Sequence, residues 1–115
     1  MKARALVTLM GANLGAAIDF DDNNAAAETL AGLSEDQEFT YAVVYKADGS
    51  EFSKSGKVPQ DTGSKVKGLK ELSVFADDAI IHAVKPIFSQ KNIVGHISIG
   101  FSMKRIHERS LTIRI

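Results

Sequence analysis

The sequence has 115 residues, 14 basic and 14 acidic side chains that give zero net charge, 44% hydrophobic residues and no cysteine. This length suits one domain, and the hydrophobic and charged fractions are typical of a globular protein rather than a disordered one. Balanced charge argues against the general phosphate attraction of a nucleic-acid-binding protein, and the lack of cysteine excludes a disulfide framework, a thiolate metal site and a cysteine nucleophile.

Two amphipathic helices are predicted at the beginning of the chain. Apolar residues recur at helical spacing over residues 3–19, although the basic start and small residues of this stretch also resemble a secretion signal. Gly11 and Asn13 interrupt its apolar run, which favours the helix. The acidic residues at 19–22 lack the spacing of a calcium loop, so we interpret them as helix caps. A second helix is predicted over residues 25–33.

Five strands are predicted after the helices, because β-branched and aromatic residues replace the helical pattern. Asp48-Gly49 is predicted to be a hairpin turn between the first two strands, and residues 56–68 a long loop of the kind that often carries function. The strands are predicted at residues 39–45, 50–55, 69–75, 79–88 and 93–103.

This order of elements predicts an α+β fold in which N-terminal helices pack on a five-stranded antiparallel sheet. The chain is expected to form one domain over residues 1–115. Its parts are the helices at 3–33, the sheet at 39–103 and a C-terminal linker at 104–115.

The last hairpin has an apolar pattern from which a register can be proposed. A turn at residues 89–92 sets Phe88 opposite Ile93, and an unbroken ladder then sets Lys85 opposite His96. In this register His82 lies opposite Ile99. The prediction is that His82 lies on an apolar face and His96 on the more polar one.

The sequence offers little for catalysis or metal binding. Its three histidines are separated by 14 and 11 residues, which is not the helical spacing of a zinc protease, and no serine-hydrolase elbow occurs. Gly11 and Gly15 fall in the first predicted helix, so we interpret them as close-packing positions rather than a dinucleotide loop. We therefore expect no enzyme activity, no catalytic residues, no cofactor and no metal.

Four segments of the chain together resemble a known family. They are NLGAAIDFDD at 13–22, YAVVYKADG at 41–49, PI at 86–87 and IVGHISIGFS at 93–102. In order and spacing they resemble the PAS-like (CHASE/Cache-type) extracytoplasmic sensor domains of bacterial transmembrane signalling receptors. The resemblance covers residues from about 3 to 103, and it is the combination rather than any one segment that is specific.

The resemblance implies the periplasmic, ligand-sensing part of an inner-membrane receptor, joined to the membrane only through flanking segments that this chain lacks. Histidine kinases, diguanylate cyclases and chemoreceptors carry such domains. A small-molecule ligand is expected between the sheet and the 53–68 loop, and a homodimer is expected through the N-terminal helix. The candidate ligand-binding residues are Tyr41, Tyr45, Ser53, Ser55, Lys57 and His82.

Two alternatives stay open at this stage. The tyrosines and His82 also suit core packing with satisfied polar ends, in which case the domain serves dimerisation or assembly without a ligand. A pocket beside the 53–68 loop would favour sensing, and a face filled by side chains would favour assembly. A cytosolic PAS-type module is the third interpretation.

Overall fold

The computed structural model describes residues 14–77 and 79–102, which form three helices and one five-stranded antiparallel sheet. The predicted α+β class is confirmed, and the fold is compatible with a PAS-like sensor domain. The helices are α1 (helical residues 14–19), α2 (Asn23–Leu33) and α3 (Thr62–Val66), and the strands are β1 (Phe39–Lys46), β2 (Glu51–Gly56), β3 (Ser73–Ala76), β4 (Ile80–Ser89) and β5 (Asn92–Ser102).

The strand order across the sheet is β2-β1-β5-β4-β3. Because β2 and β3 form opposite edges, the chain between them, residues 57–72, must cross the whole width of the sheet. This connecting segment contains α3 and covers one face of the sheet, which we call the α3 face. The other face, covered by α1 and α2, is called the helical face.

The helical face carries the larger hydrophobic core. Leu14 and Ala17 of α1 and Leu30 of α2 are buried in one cluster with Ile97 and Ile99 of β5. A Cβ atom on Gly15 would lie 2.5 Å from the carbonyl oxygen of Phe88, so glycine permits α1 to approach the backbone of β4 closely. Gly15 therefore has the predicted close-packing role, here between helix and sheet, whereas Gly11 lies outside the described residues.

Of the acidic residues at 19–22 that were predicted to cap helices, Asp22 has that role and the others contact strands instead. Asp22 is the N-cap of α2, and its carboxylate accepts a hydrogen bond from the backbone N–H of Ala25 at 3.1 Å. Asp21 adopts a positive φ of 52° and lies 3.4 Å from the ammonium of Lys46. Asp19 accepts a hydrogen bond from the hydroxyl of Ser89. These contacts fasten the helix–helix turn to both β1 and β4.

The register predicted for the last hairpin is wrong beyond its turn. Phe88 does pair with Ile93, but Ile87 pairs with Gly95, so Val94 is a bulged residue without a partner opposite. His96 consequently lies opposite Pro86 instead of Lys85, and His82 lies opposite Gly100 instead of Ile99. The one-residue shift places His82 and His96 on the same face of the sheet, the α3 face.

The predicted loop at 56–68 also needs correction, because Thr62–Val66 form the short helix α3. Thr62 and Val66 are buried, while Lys65 is exposed and lies 3.5 Å from Asp61. Burial of one side of the turn against the sheet explains a helix that the polar, glycine-containing sequence does not favour by itself.

Two expected features fall outside the described residues. The apolar stripe of the first helix before residue 14 and the predicted linker at 104–115 are not part of the described structure. Among the helices at 14–77 and 79–102, none is long and apolar enough to cross a membrane.

Candidate functional site

A chain of hydrogen bonds between buried side chains joins three strands on the α3 face. The hydroxyl of Tyr41 on β1 lies 2.7 Å from Nδ1 of His82 on β4 and 2.7 Å from Oγ of Ser98 on β5. All three residues are at most 2% exposed. Because buried polar groups need partners, this arrangement fixes the three side chains relative to one another.

Asp77 determines the direction of these hydrogen bonds. Its Oδ2 lies 2.8 Å from Nε2 of His82, and this hydrogen bond is the main reason why the pKa of Asp77 is lowered. A carboxylate only accepts, so Nε2 of His82 donates to it. In the neutral imidazole Nδ1 then accepts from the Tyr41 hydroxyl, and the hydroxyl of Ser98 donates to Tyr41. We refer to these four residues as the Tyr41–His82 network.

Side chains from two further elements enclose the network. The ring of Phe75 on β3 stacks on His82 with the centroids 4.8 Å apart and the planes at 15°. Burial raises the pKa of Tyr41 to about 12, although its hydrogen bond to Ser98 opposes this effect. Thr62, the first residue of α3, is also buried and lies near the Tyr41 hydroxyl.

Gly100 makes room for the ring of Tyr41. A Cβ atom at Gly100 would lie 2.2 Å from a carbon of that ring, closer than any side chain could tolerate without movement. The ring therefore lies flat over β5 in space that only glycine leaves free. The central part of the α3 face is accordingly filled by side chains.

A pocket opens beside this filled region, towards the β1–β2 turn. Its volume is about 510 Å³, within the usual range for small-ligand sites of roughly 300–1,000 Å³. Tyr45 of β1 and His96 of β5, which are paired across the two strands, contribute to its wall and are both largely buried. The remaining lining comes from the turn at 46–49 and from residues 63–68, which include part of α3.

The polar groups of the pocket differ in whether they already form hydrogen bonds within the domain. The carboxylate of Asp48 accepts hydrogen bonds from the backbone and hydroxyl of Ser50, which lower its pKa. His96 is held by a 2.7 Å hydrogen bond from Nε2 to the carbonyl of Leu69. The hydroxyl of Tyr45 has no hydrogen-bond partner in the described part of the chain, and burial raises its pKa.

The predicted site residues separate into three groups. Tyr45 lines the pocket, whereas Tyr41 and His82 belong to the buried Tyr41–His82 network. Ser53 pairs with Val44 and Ser55 with Ala42, residues of the core on the helical face. Directly paired residues share a face, so these two serines lie on the other side of the sheet from Tyr41.

Lys57 is exposed directly after β2 and does not line the pocket. The structure therefore does not bring the six predicted residues into one site. Several pocket residues are absent from the prediction, among them Asp48, Ser64 and Lys67. So is His96, because the predicted register lacks the bulge at Val94 and places His96 on the other face from His82.

Comparison with protein families gives one match. A model of the CHASE8 family, described as a periplasmic sensor domain, matches residues 1–100 of this chain. The search of curated proteins found no match.

Proposed function

Because the chain belongs to the CHASE8 family of periplasmic sensor domains, we propose that it senses a small molecule for a bacterial transmembrane receptor. The receptor would be a histidine kinase, a diguanylate cyclase or a chemoreceptor. The ligand would bind in the pocket over Tyr45 and His96. The domain would transmit the signal as a change of conformation and would catalyse no reaction.

The pocket is the observation that carries this proposal. It combines a concave shape with two largely buried residues that have an apolar body and a polar tip, Tyr45 and His96. Its wall is built from the β1–β2 turn on one side and from α3 with the residues after it on the other. A ligand would therefore bridge the β1–β2 turn and α3, which are separated along the chain by residues 50–61.

A route from the pocket to the end of the domain runs through α3. Val66 lines the pocket and is buried in the same cluster as Tyr41. The hydroxyl of Thr62, at the other end of α3, lies near the hydroxyl of Tyr41, which hydrogen-bonds to Ser98 on β5. A ligand with higher affinity for one position of α3 would thus favour one arrangement of β5, the last strand of the described chain. Only such a difference in affinity between conformations can transmit a signal.

The test is a ligand screen on two matched variants. Ser64 is exposed on α3 and lines the pocket, so Ser64→Phe should fill the space while Ser64→Ala leaves it open. We expect a metabolite that raises the melting temperature of the native domain and of Ser64→Ala but not of Ser64→Phe. A ligand present at 100 times its Kd adds about 2.7 kcal/mol to stability. The same shift in Ser64→Phe would place binding elsewhere and refute this site.

An assembly domain without a ligand is the second candidate. The filled centre of the α3 face favours it, as does the exposure of Phe20 at 83% and Phe88 at 46%, since large apolar side chains in the open often mark contact surfaces. Leu14 and Ala17 are buried inside the domain, so a homodimer through α1 would have to use its other side. Sedimentation equilibrium of the domain, with and without Phe20→Ser, would test self-association directly.

A further inference from the structure

We propose that the pocket selects a small organic anion with a single carboxylate, and that such a ligand binds more tightly as the pH falls, through His96. This inference rests on the proposed function, since it names the chemical class of the sensed ligand.

The charged residues that line the pocket leave one lysine, Lys67, without an ion pair in the described chain. Two lysines, Lys46 and Lys67, and one aspartate, Asp48, line it, which gives two positive charges minus one negative. Asp48 is already satisfied by its hydrogen bonds to Ser50, and Lys46 lies 3.4 Å from Asp21. Lys67 forms no ion pair with any residue that the structure describes. Lys67 is therefore the pocket cation that is left to attract an anionic ligand.

The unengaged polar groups are mainly donors, and a carboxylate only accepts. The hydroxyl of Tyr45 lacks a partner in the described chain, and Ser64 and Lys67 also line the pocket. The ring of Tyr45 and the side chain of Val66 offer apolar contact for the rest of a small organic molecule. Hydrogen bonds to an ionised acceptor are roughly twice as strong as neutral ones, which favours the anion over an uncharged analogue.

His96 adds a dependence on pH. A carbonyl oxygen only accepts, so Nε2 of His96 donates to Leu69 in either protonation state, and Nδ1 is the atom left for a ligand. Neutral His96 presents a lone pair at Nδ1, which opposes a carboxylate, whereas protonated His96 presents an N–H that can bind it. Anion binding is thus expected to strengthen at acidic pH.

The charged and titratable groups around His96 come from three sides. Tyr45 pairs with it from β1, and Lys46, Asp48 and Lys67 line the same pocket from the β1–β2 turn and the end of α3. Its partner on β4 is Pro86, which does not titrate. Histidine is the side-chain type whose ordinary pKa lies between pH 5 and 8, and His96 is the histidine among the residues that line the pocket.

Three molecules of nearly the same shape test the inference. Benzoate, benzamide and benzamidine carry charges of minus one, zero and plus one, and their binding can be followed by NMR titration of the backbone amides at Lys67, Gly68 and His96. We expect benzoate to bind about tenfold more tightly than benzamide, since only benzoate forms charge-assisted hydrogen bonds. Benzamidine should bind most weakly.

Two pairs of variants separate specific from general effects. Lys67→Gln should weaken benzoate binding about threefold, whereas Lys70→Gln removes an exposed lysine outside the pocket and should leave it unchanged. His96→Gln keeps a donor for the carbonyl of Leu69 but does not titrate, so it should remove the tightening at acidic pH. His82 is unchanged in this variant, so a pH dependence that persists in His96→Gln does not come from His96.

The outcomes distinguish this inference from the proposal on which it rests. Equal or tighter binding of benzamide or benzamidine at the same amides would overturn the anion class and leave the pocket as a ligand site. Unchanged pH dependence in His96→Gln would overturn the role of His96. If none of the three molecules perturbs the pocket at millimolar concentration, the anion inference is wrong, whereas the sensing proposal is decided by the metabolite screen with the Ser64 variants.

Discussion

Replacement of Tyr41 by phenylalanine is the most direct test of the Tyr41–His82 network. The substitution keeps the ring that lies over Gly100 and removes only the hydroxyl, which forms 2.7 Å hydrogen bonds to both His82 and Ser98. Nδ1 of His82 then loses its donor, and Ser98 loses its acceptor. Both groups are at most 2% exposed, so water cannot easily replace the lost partner.

The expected loss of stability follows from the state of these partners. A buried polar group without a partner costs about 1–3 kcal/mol, and two groups are affected here, one of them a hydroxyl that can rotate, so we expect a loss of about 2–3 kcal/mol. For a chain of 115 residues, about 4 °C of melting temperature corresponds to each kcal/mol, which gives a decrease of roughly 8–12 °C.

Tyr45→Phe provides a matched control. Tyr45 is also largely buried on the α3 face, but its hydroxyl has no partner in the described chain, so its removal should change stability by less than about 0.5 kcal/mol. Urea unfolding at neutral pH would measure both variants, with an unchanged slope m as the sign that only stability has changed. A Tyr41→Phe variant that is no less stable than Tyr45→Phe would refute the network.

The remaining predictions use the same unfolding measurement. Gly100→Ala should destabilise the domain by more than about 2 kcal/mol, because its Cβ would lie 2.2 Å from the ring of Tyr41. Gly32→Ala, at an exposed position of α2 with no atom within 4 Å of the new Cβ, should stabilise it by about 0.5–1 kcal/mol. The pKa of Tyr41 is about 12 in the folded state, above the ordinary value near 10, so its contribution should be present below about pH 10 and be lost as the pH rises towards about 12; Tyr41→Phe should lack that loss. The pKa of Asp77 is instead lowered, so its hydrogen bond to His82 should stabilise the protein above about pH 3.9 and be lost on further acidification. In Asp77→Asn, the free energy of unfolding should fall less over this acidic range.

The sequence predicts the elements of this fold better than their registration. Asp48-Gly49 between two β-rich runs predicts the first hairpin, and Gly49 indeed has a positive φ of 90°. No sequence signal indicates the bulge at Val94, because Ile93 and Val94 are both apolar and either one fits the alternation of apolar and polar residues along a strand. One unmarked residue then reverses which face every later residue of β5 shares with β4.

The candidate site depends on the features that the sequence does not reveal. α3 forms because Thr62 and Val66 are buried against the sheet, which is a tertiary effect on a short polar segment. The pocket needs both α3 and the corrected position of His96. The sequence predicts tyrosine and histidine as residue types of the site. It does not predict which of these side chains lie together in the folded domain.

The order of the strands also constrains when the domain can fold. β5 is the last strand along the chain, yet it lies in the middle of the sheet and pairs with both β1 and β4. Until β5 has been synthesised, the chain can form a β1–β2 hairpin and a β3–β4 hairpin, but these have no strand to join them. Since the partners of β1 on β5 lie about 50–60 residues further along the chain, closure of the sheet is a late, long-range event of the kind that slows folding. A ribosome-bound or partly exported chain that ends before residue 92 would therefore carry no assembled sheet and no pocket, and sensing would begin only once the final strand is inserted between its neighbours.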